Sequence, residues 1–146
     1  MICPHCGAPE YWISRLFGKP WWDGVISPTQ RSLAYLRRRG ALCAVVERFN
    51  AFVTRPDGGK GVRMDLWSFG DILAVEPGRR GALLIQVCHV GDQARRLEKI
   101  KSPKVWAKAK VWLAAHNRIE VHGWAIRGAQ GTRKRATVTI TEVVEG

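Results

Sequence analysis

Two short apolar runs flank a tight turn near the middle of the chain and constrain the fold more than any other feature. The first reads Ile72-Leu73-Ala74-Val75, the turn is Pro77-Gly78-Arg79-Arg80-Gly81, and the second is Ala82-Leu83-Leu84-Ile85-Gln86-Val87-Cys88. Aliphatic runs of this length, bounded by Pro and Gly, signal a β-hairpin. Each is associated with one oxygen-bearing side chain: Asp71 opens the first and Gln86 lies within the second. Setting Glu76 opposite Ala82 across the turn places Asp71 opposite Val87, one residue from Gln86. Two polar groups then meet at one end of an apolar strand pair, where burial costs free energy unless something binds them. A divalent cation with its waters is one such partner, and a hydrogen-bond network is another. Asp71 could instead satisfy turn amides, as Asp commonly does at element boundaries, and Gln86 could be a satisfied core amide.

The surrounding sequence supplies helices and further strands. Ser27-Pro28-Thr29-Gln30 has the pattern of a helix start, with Ser27 as N-cap, Pro28 at the first helical position and Gln30 closing a capping box. Leu33, Leu36 and Tyr35 form its buried stripe, and Arg37-Arg38-Arg39-Gly40 ends it with cations at the negative pole of the dipole and a terminal glycine. Residues 41–49 read as a Val-rich strand, a polar loop with Pro56-Asp57-Gly58-Gly59 follows, and residues 62–69 lead into the hairpin. Residues 91–101 have helical character, and residues 103–116 place Val105, Trp106, Ala109, Trp112 and Leu113 at helical spacing, as core. Residues 119–126 and 136–144 alternate as strands, joined by a glycine-rich basic loop over 127–135. The order helix, strand, strand, strand, helix, helix, strand, strand suits an α/β sandwich on a mixed sheet. Residues 1–26 show no sustained period and are expected to be an appendage to a domain spanning 27–146.

Charge narrows the choice of partner. The 146 residues include 24 Lys or Arg against 12 Asp or Glu, a net charge of +12. Such an excess favours a polyanionic partner, nucleic acid being the commonest, with simple solubility as the alternative. No apolar run reaches the length of a membrane span, and the N-terminus lacks the apolar core of a signal peptide, so a cytoplasmic protein without membrane contact is expected. Cys3 and Cys6 have the spacing of half a zinc knuckle, but no second pair completes a tetrahedral set. Zinc is therefore not expected there unless a second subunit completes the site. Cys43 and Cys88 fall in apolar runs and are expected in the core. His89 and His122 are expected to be structural and His116 a cationic helix end. Arg133, Lys134 and Arg135 in the glycine-rich loop, with Arg95, Arg96 and Lys101, are the expected phosphate contacts. Trp21, Trp22 or Trp124 could stack on exposed bases.

Several of these stretches together resemble a known family. They are Val46-Glu47, then Asp65-Leu66-Trp67-Ser68-Phe69-Gly70-Asp71, then Ile85-Gln86-Val87, with Arg96-Leu97-Glu98-Lys99-Ile100 and Ile119-Glu120-Val121-His122-Gly123-Trp124 following. They resemble the PD-(D/E)XK nuclease superfamily, particularly archaeal-type Holliday junction resolvases and small phage-encoded relatives, over residues 27–144. The resemblance implies a restriction-endonuclease-like mixed β-sheet flanked by helices, Mg²⁺ or Mn²⁺ as cofactor, DNA, including branched DNA, as partner, and a homodimer, since cutting two strands symmetrically takes two sites. It makes Asp71 the chief metal ligand, Gln86 the occupant of the family's acidic position, and the Val87 main-chain carbonyl a further ligand. An amide oxygen at Gln86 ligates without adding charge.

Two departures from the family pattern bear on chemistry. The lysine usually found two residues after the acid is Cys88, which cannot act as a cation toward developing phosphate charge. Lysines sit on a neighbouring helix in some members, which makes Lys99 the substitute. Many relatives carry a glutamate on the first helix, and none stands between residues 27 and 40. Glu47 is then its stand-in, with Asp65 a second candidate. The function implied is a metal-dependent, structure-selective endodeoxyribonuclease, because no base-reading helix is evident. The alternatives are a catalytically silent nucleic-acid-binding protein of the same fold, marked by Gln86 and Cys88, and a zinc-assisted binding module at Cys3 and Cys6.

Overall fold

The computed structural model describes residues 26–127 and 135–146. The expected appendage apart from Ile26, and the loop residues Arg133 and Lys134, lie outside the described residues. The chain runs α1 (Pro28–Arg38), β1 (Leu42–Val45), β2 (Arg48–Thr54), β3 (Lys60–Met64), β4 (Ile72–Val75), β5 (Leu83–His89), a 3-10 turn (Val90–Asp92), α2 (Gln93–Lys101), α3 (Pro103–Ala114), β6 (Arg118–Arg127) and β7 (Arg135–Val143). Five strands form one sheet in the order β1-β4-β5-β6-β7. Its β5–β6 pair is parallel and the others antiparallel, so the fold is α/β with a mixed sheet. Among the described residues no helix is long and apolar enough to cross a membrane.

Central strand β5 is buried from Leu83 to Cys88, and its alternation divides the core. Leu83, Ile85 and Val87 face a cluster with Leu33 and Leu36 of α1, while Leu84 and Cys88 face a cluster with Ile100 of α2 and Ala109 of α3. The helices thus cover both faces of the sheet. Helix α1 begins as its sequence dictates: Gln30 N–H donates to Ser27 Oγ at 3.2 Å, and Ser27 N–H donates to Gln30 Oε1 at 3.2 Å. Of the helical core expected in residues 103–116, Ala109 is buried, and Val105, Trp106, Trp112 and Leu113 pack on the same cluster half-buried.

Three expectations are corrected. The ladder pairs Ile72 with Ile85, Leu73 with Leu84 and Ala74 with Leu83, one residue out from a register with Glu76 opposite Ala82. Glu76 leaves the ladder because Arg39, Arg79 and Arg118 draw its carboxylate to 2.9, 3.7 and 2.8 Å. Directly opposed residues share a face, so this register continued by one residue sets Asp71 against Gln86 instead of Val87. Second, residues 41–49 are not one strand: the N–H groups of Val46 and Glu47 both donate to the Asp71 carbonyl, at 2.9 and 3.4 Å, and this bulge turns the chain out of the sheet. Third, the polar loop with Pro56 to Gly59 is the tip of a separate two-stranded sheet, β2–β3.

Beneath α1 lies a polar chain. Trp124 Nε1 donates to Ser32 Oγ at 2.8 Å, Ser32 Oγ meets His122 Nδ1 at 3.0 Å, and His122 Nε2 meets Glu120 Oε2 at 3.0 Å. Ser32 and His122 are fully buried, so this serine–histidine–glutamate series has no face open to a substrate. It clamps α1 to β6, and it gives Trp124 a structural partner that removes it from the candidates for base stacking. Burial pushes the Glu120 carboxyl up, but the hydrogen bond from His122 and the charges of Arg118 and Arg39 outweigh it and hold the carboxyl below its ordinary range.

Candidate metal centre

The bulge and a tight turn converge on Asp71. Leu66 and Gly70 form an isolated antiparallel bridge, with Leu66 N–H on the Gly70 carbonyl at 2.8 Å and Gly70 N–H on the Leu66 carbonyl at 2.9 Å. Between them Trp67 and Ser68 both take positive φ, 52° and 72°, the geometry of a mirror-image hairpin turn held by two residues that are not glycine. Trp67 is held there against Trp112 of α3, with ring centroids 5.4 Å apart. Gly70 passes so close to β5 that a Cβ would lie 2.6 Å from Leu84 Cδ1, leaving no room for a side chain. The turn therefore sets Asp65 beside Asp71, and the Val46–Glu47 bulge brings Glu47 to the same place. One carboxylate oxygen from each of Glu47, Asp65 and Asp71 lies within 4.8 Å of the others.

Gln86 completes the group from β5. It is 2 % exposed, its Nε2 donates to Asp71 Oδ2 at 2.6 Å, and its Oε1 is buried without any hydrogen-bond partner. An orphaned carbonyl oxygen at such a place is the polar atom that requires explanation. Val87 touches the group through its N–H, which donates to Asp71 Oδ2 at 2.8 Å. Burial raises the Asp71 carboxyl; the Val87 hydrogen bond opposes this, and the neighbouring Asp65 and Glu47 carboxylates add to it, so that Asp71 is pushed up to about 7. Three carboxylates crowded in this way repel one another at neutral pH unless a cation sits among them.

Helix α2 brings one cation to the edge of the group. Lys99 Nζ lies 3.6 Å from Asp65 Oδ2. Arg95, one of the expected phosphate contacts, instead pairs with Asp92 at 2.9 Å and is exposed. Arg96 leans inward, with Nε buried and unpartnered, and its charge opposes the rise that burial imposes on the Cys88 thiol. Cys88 itself is 6 % exposed in the apolar cluster, where burial keeps the thiol neutral. Lys101 is turned away from the carboxylates: its Nζ donates to the Val144 carbonyl at 2.9 Å and lies 4.0 Å over the Trp106 ring. Arg135 is exposed at the start of β7.

Of the residues singled out from sequence, the structure thus gathers Glu47, Asp71, Gln86, Val87 and Lys99 with Asp65, and leaves Arg95, Lys101 and Arg135 outside the group. Sequence reading passed over Ser32 and Gln93. Gln93 is buried on α2 and donates to the Val121 and Thr139 carbonyls and to Thr141 Oγ1, at 3.2, 2.9 and 3.1 Å. A polar residue inside an apolar helical stripe is the one local signal either of them carried. No family model matches the chain, and neither the curated proteins nor the solved structures contain a match, so nothing in these comparisons identifies the PD-(D/E)XK superfamily.

Proposed function

We propose that the protein is a metal-dependent endodeoxyribonuclease that hydrolyses phosphodiester bonds in branched or flapped DNA. The observation that carries this reading is three carboxylates converging on a buried amide whose oxygen has no partner. The donor set is all oxygen, which suits Mg²⁺ or Mn²⁺ and does not suit zinc. Glu47, Asp65 and Asp71 would hold the ion, and turning the Gln86 amide over would present its orphaned oxygen in place of the N–H₂ that now serves Asp71. When bound, the ion supplies Lewis acidity toward the phosphate and neutralises its charge. Lys99, already beside Asp65, is placed to receive a phosphate oxygen brought to the carboxylates, the part that Cys88 cannot play. The strongly basic chain supplies the affinity for DNA that is independent of sequence.

A second reading, a nucleic-acid-binding protein that does not cut, is favoured by the buried neutral thiol of Cys88 two residues beyond Gln86. One experiment separates them: labelled four-way-junction, flap and linear duplex DNA incubated with Mg²⁺ or Mn²⁺, beside an EDTA control and Asp71→Asn. Metal-dependent cutting that falls about 100-fold or more in Asp71→Asn is the expected result. Binding without cutting on every substrate, unchanged by the substitution, would overturn the nuclease and leave the second reading standing.

A further inference from the structure

The hairpin β2–β3 is the part of the molecule that the carboxylate site leaves unexplained. It pairs only with itself, and no other described element packs extensively against it. Its apolar side chains face solvent: Phe52 is 93 % exposed, Phe49 66 % and Met64 50 %. A ribbon that buries no large apolar side chain would ordinarily carry polar residues on both faces, so this much exposed aromatic surface needs an occupant.

Charge identifies the occupant. Residues 48–64 carry Arg48, Arg55, Lys60 and Arg63 against the single acid Asp57. Arg55 is folded onto the tip, paired with Asp57 at 3.3 Å, while among the described residues Arg48, Lys60 and Arg63 form no ion pair. Cross-strand register sets Phe49 opposite Arg63 and Arg48 opposite Met64, so each face presents an apolar group beside a cation. The Phe49 ring lies over Gly61, whose φ of 98° and missing Cβ leave the room for it. The ladder slips between Asn50 and Thr54, and in that irregular stretch Asn50 Oδ1 accepts the Phe52 N–H at 3.0 Å and Phe52 stands clear of the ribbon. A second copy of the chain would bring arginines against arginines. A polyanion that also offers flat aromatic faces satisfies both halves of the surface, and unpaired nucleic-acid bases on their phosphate backbone are such a partner.

We infer that the β2–β3 hairpin grips unpaired nucleotides, Phe49 and Phe52 stacking on bases while Arg48, Lys60 and Arg63 hold the backbone. The inference rests on the nuclease reading in one respect: β2 starts one residue after Glu47 and β3 ends one residue before Asp65, so a strand held by the hairpin lies next to the carboxylates. The hairpin would then select substrates in which a single strand leaves a duplex beside the bond to be cut.

The test is fluorescence anisotropy in EDTA with fluorescein-labelled single-stranded, flapped and blunt duplex DNA. It uses the full chain, the double variant Phe49→Ala/Phe52→Ala, and Asp71→Asn. The expected result is a loss of about 10-fold or more on single-stranded and flapped DNA in the double variant, with blunt duplex changed by less than about 2-fold. Arg48→Gln/Arg63→Gln is expected to weaken all three and to reduce the salt dependence. Equal affinity of wild type and double variant for the single strand would overturn the inference. So would a wild-type dimer that the double variant converts to monomer without loss of DNA binding, since a second copy would then be the occupant. Asp71→Asn removes a negative charge beside the held strand and is expected to bind no more weakly than wild type, so a loss seen with the phenylalanines removed belongs to the hairpin and not to the carboxylates. Stacking-dependent binding without metal-dependent cleavage would sink only the nuclease reading, and cleavage that needs Asp71 but not the phenylalanines would sink only this one.

Discussion

Asp71 is held by two opposed demands. As the residue that accepts Val87 N–H and Gln86 Nε2 it is a structural acceptor, yet burial and two neighbouring carboxylates push it up to about 7. A proton bound more tightly in the folded than in the unfolded chain favours folding, so this contribution is complete below about pH 4 and is lost as pH rises through about 7. Thermal melts in EDTA are expected to show a falling melting temperature from about pH 4 to about pH 7, flattened in Asp71→Asn, with Mg²⁺ or Mn²⁺ restoring stability most at the alkaline end. An identical slope in the variant would assign the titration elsewhere. Gln86→Glu removes the N–H₂ donor and adds a fourth acid. It is expected to lower the melting temperature in EDTA and to enlarge the shift produced by Mn²⁺, read in the same melts. Asp71 and Gln86 were legible in the sequence because each interrupts or borders an apolar run. Ser32 and His122 were not legible as a pair, because 90 residues separate two side chains that only the packing of α1 on β6 joins.

At the scale of elements, the turn from Leu66 to Phe69 carries strain for the sake of position. Two successive residues with positive φ cost roughly 1–2 kcal/mol each where neither is glycine. Trp67 offsets part of this against Trp112. Ser68→Gly is accordingly expected to stabilise the chain by about 0.5–1 kcal/mol in denaturant melts, the relief of strain being reduced by the extra freedom of glycine when unfolded. A neutral or destabilising result would mean that the Ser68 side chain holds the turn. The helices and the hairpin β4–β5 were readable from capping residues, Pro–Gly punctuation and helical spacing. Its register was not, because nothing local to residues 70–89 announces that Arg39 and Arg118, distant in sequence, pull Glu76 out of the ladder. The β2–β3 ribbon was missed for a related reason: strands are recognised by a buried alternating face, and this one buries none.

The whole molecule is a mixed sheet between helices, with a net charge of +12 despite the three carboxylates gathered at Glu47, Asp65 and Asp71. Binding of the proposed DNA partner to so basic a chain would release counterions. Affinity is therefore expected to fall linearly in log–log salt titrations, by about 1,000-fold between roughly 50 and 200 mM if some six phosphates are neutralised. A flat titration would remove the polyanion from the account. The bulge at Val46 and Glu47 has a further consequence for how such a molecule can diversify. The chain leaves the sheet at the Asp71 carbonyl and, after the ribbon and the tight turn, returns to the same residue. Everything between Glu47 and Asp65 is a cassette spliced in at a single point. On the reading proposed above, changing its length or side chains would alter what the protein holds while strand order, core and the carboxylates stay as they are.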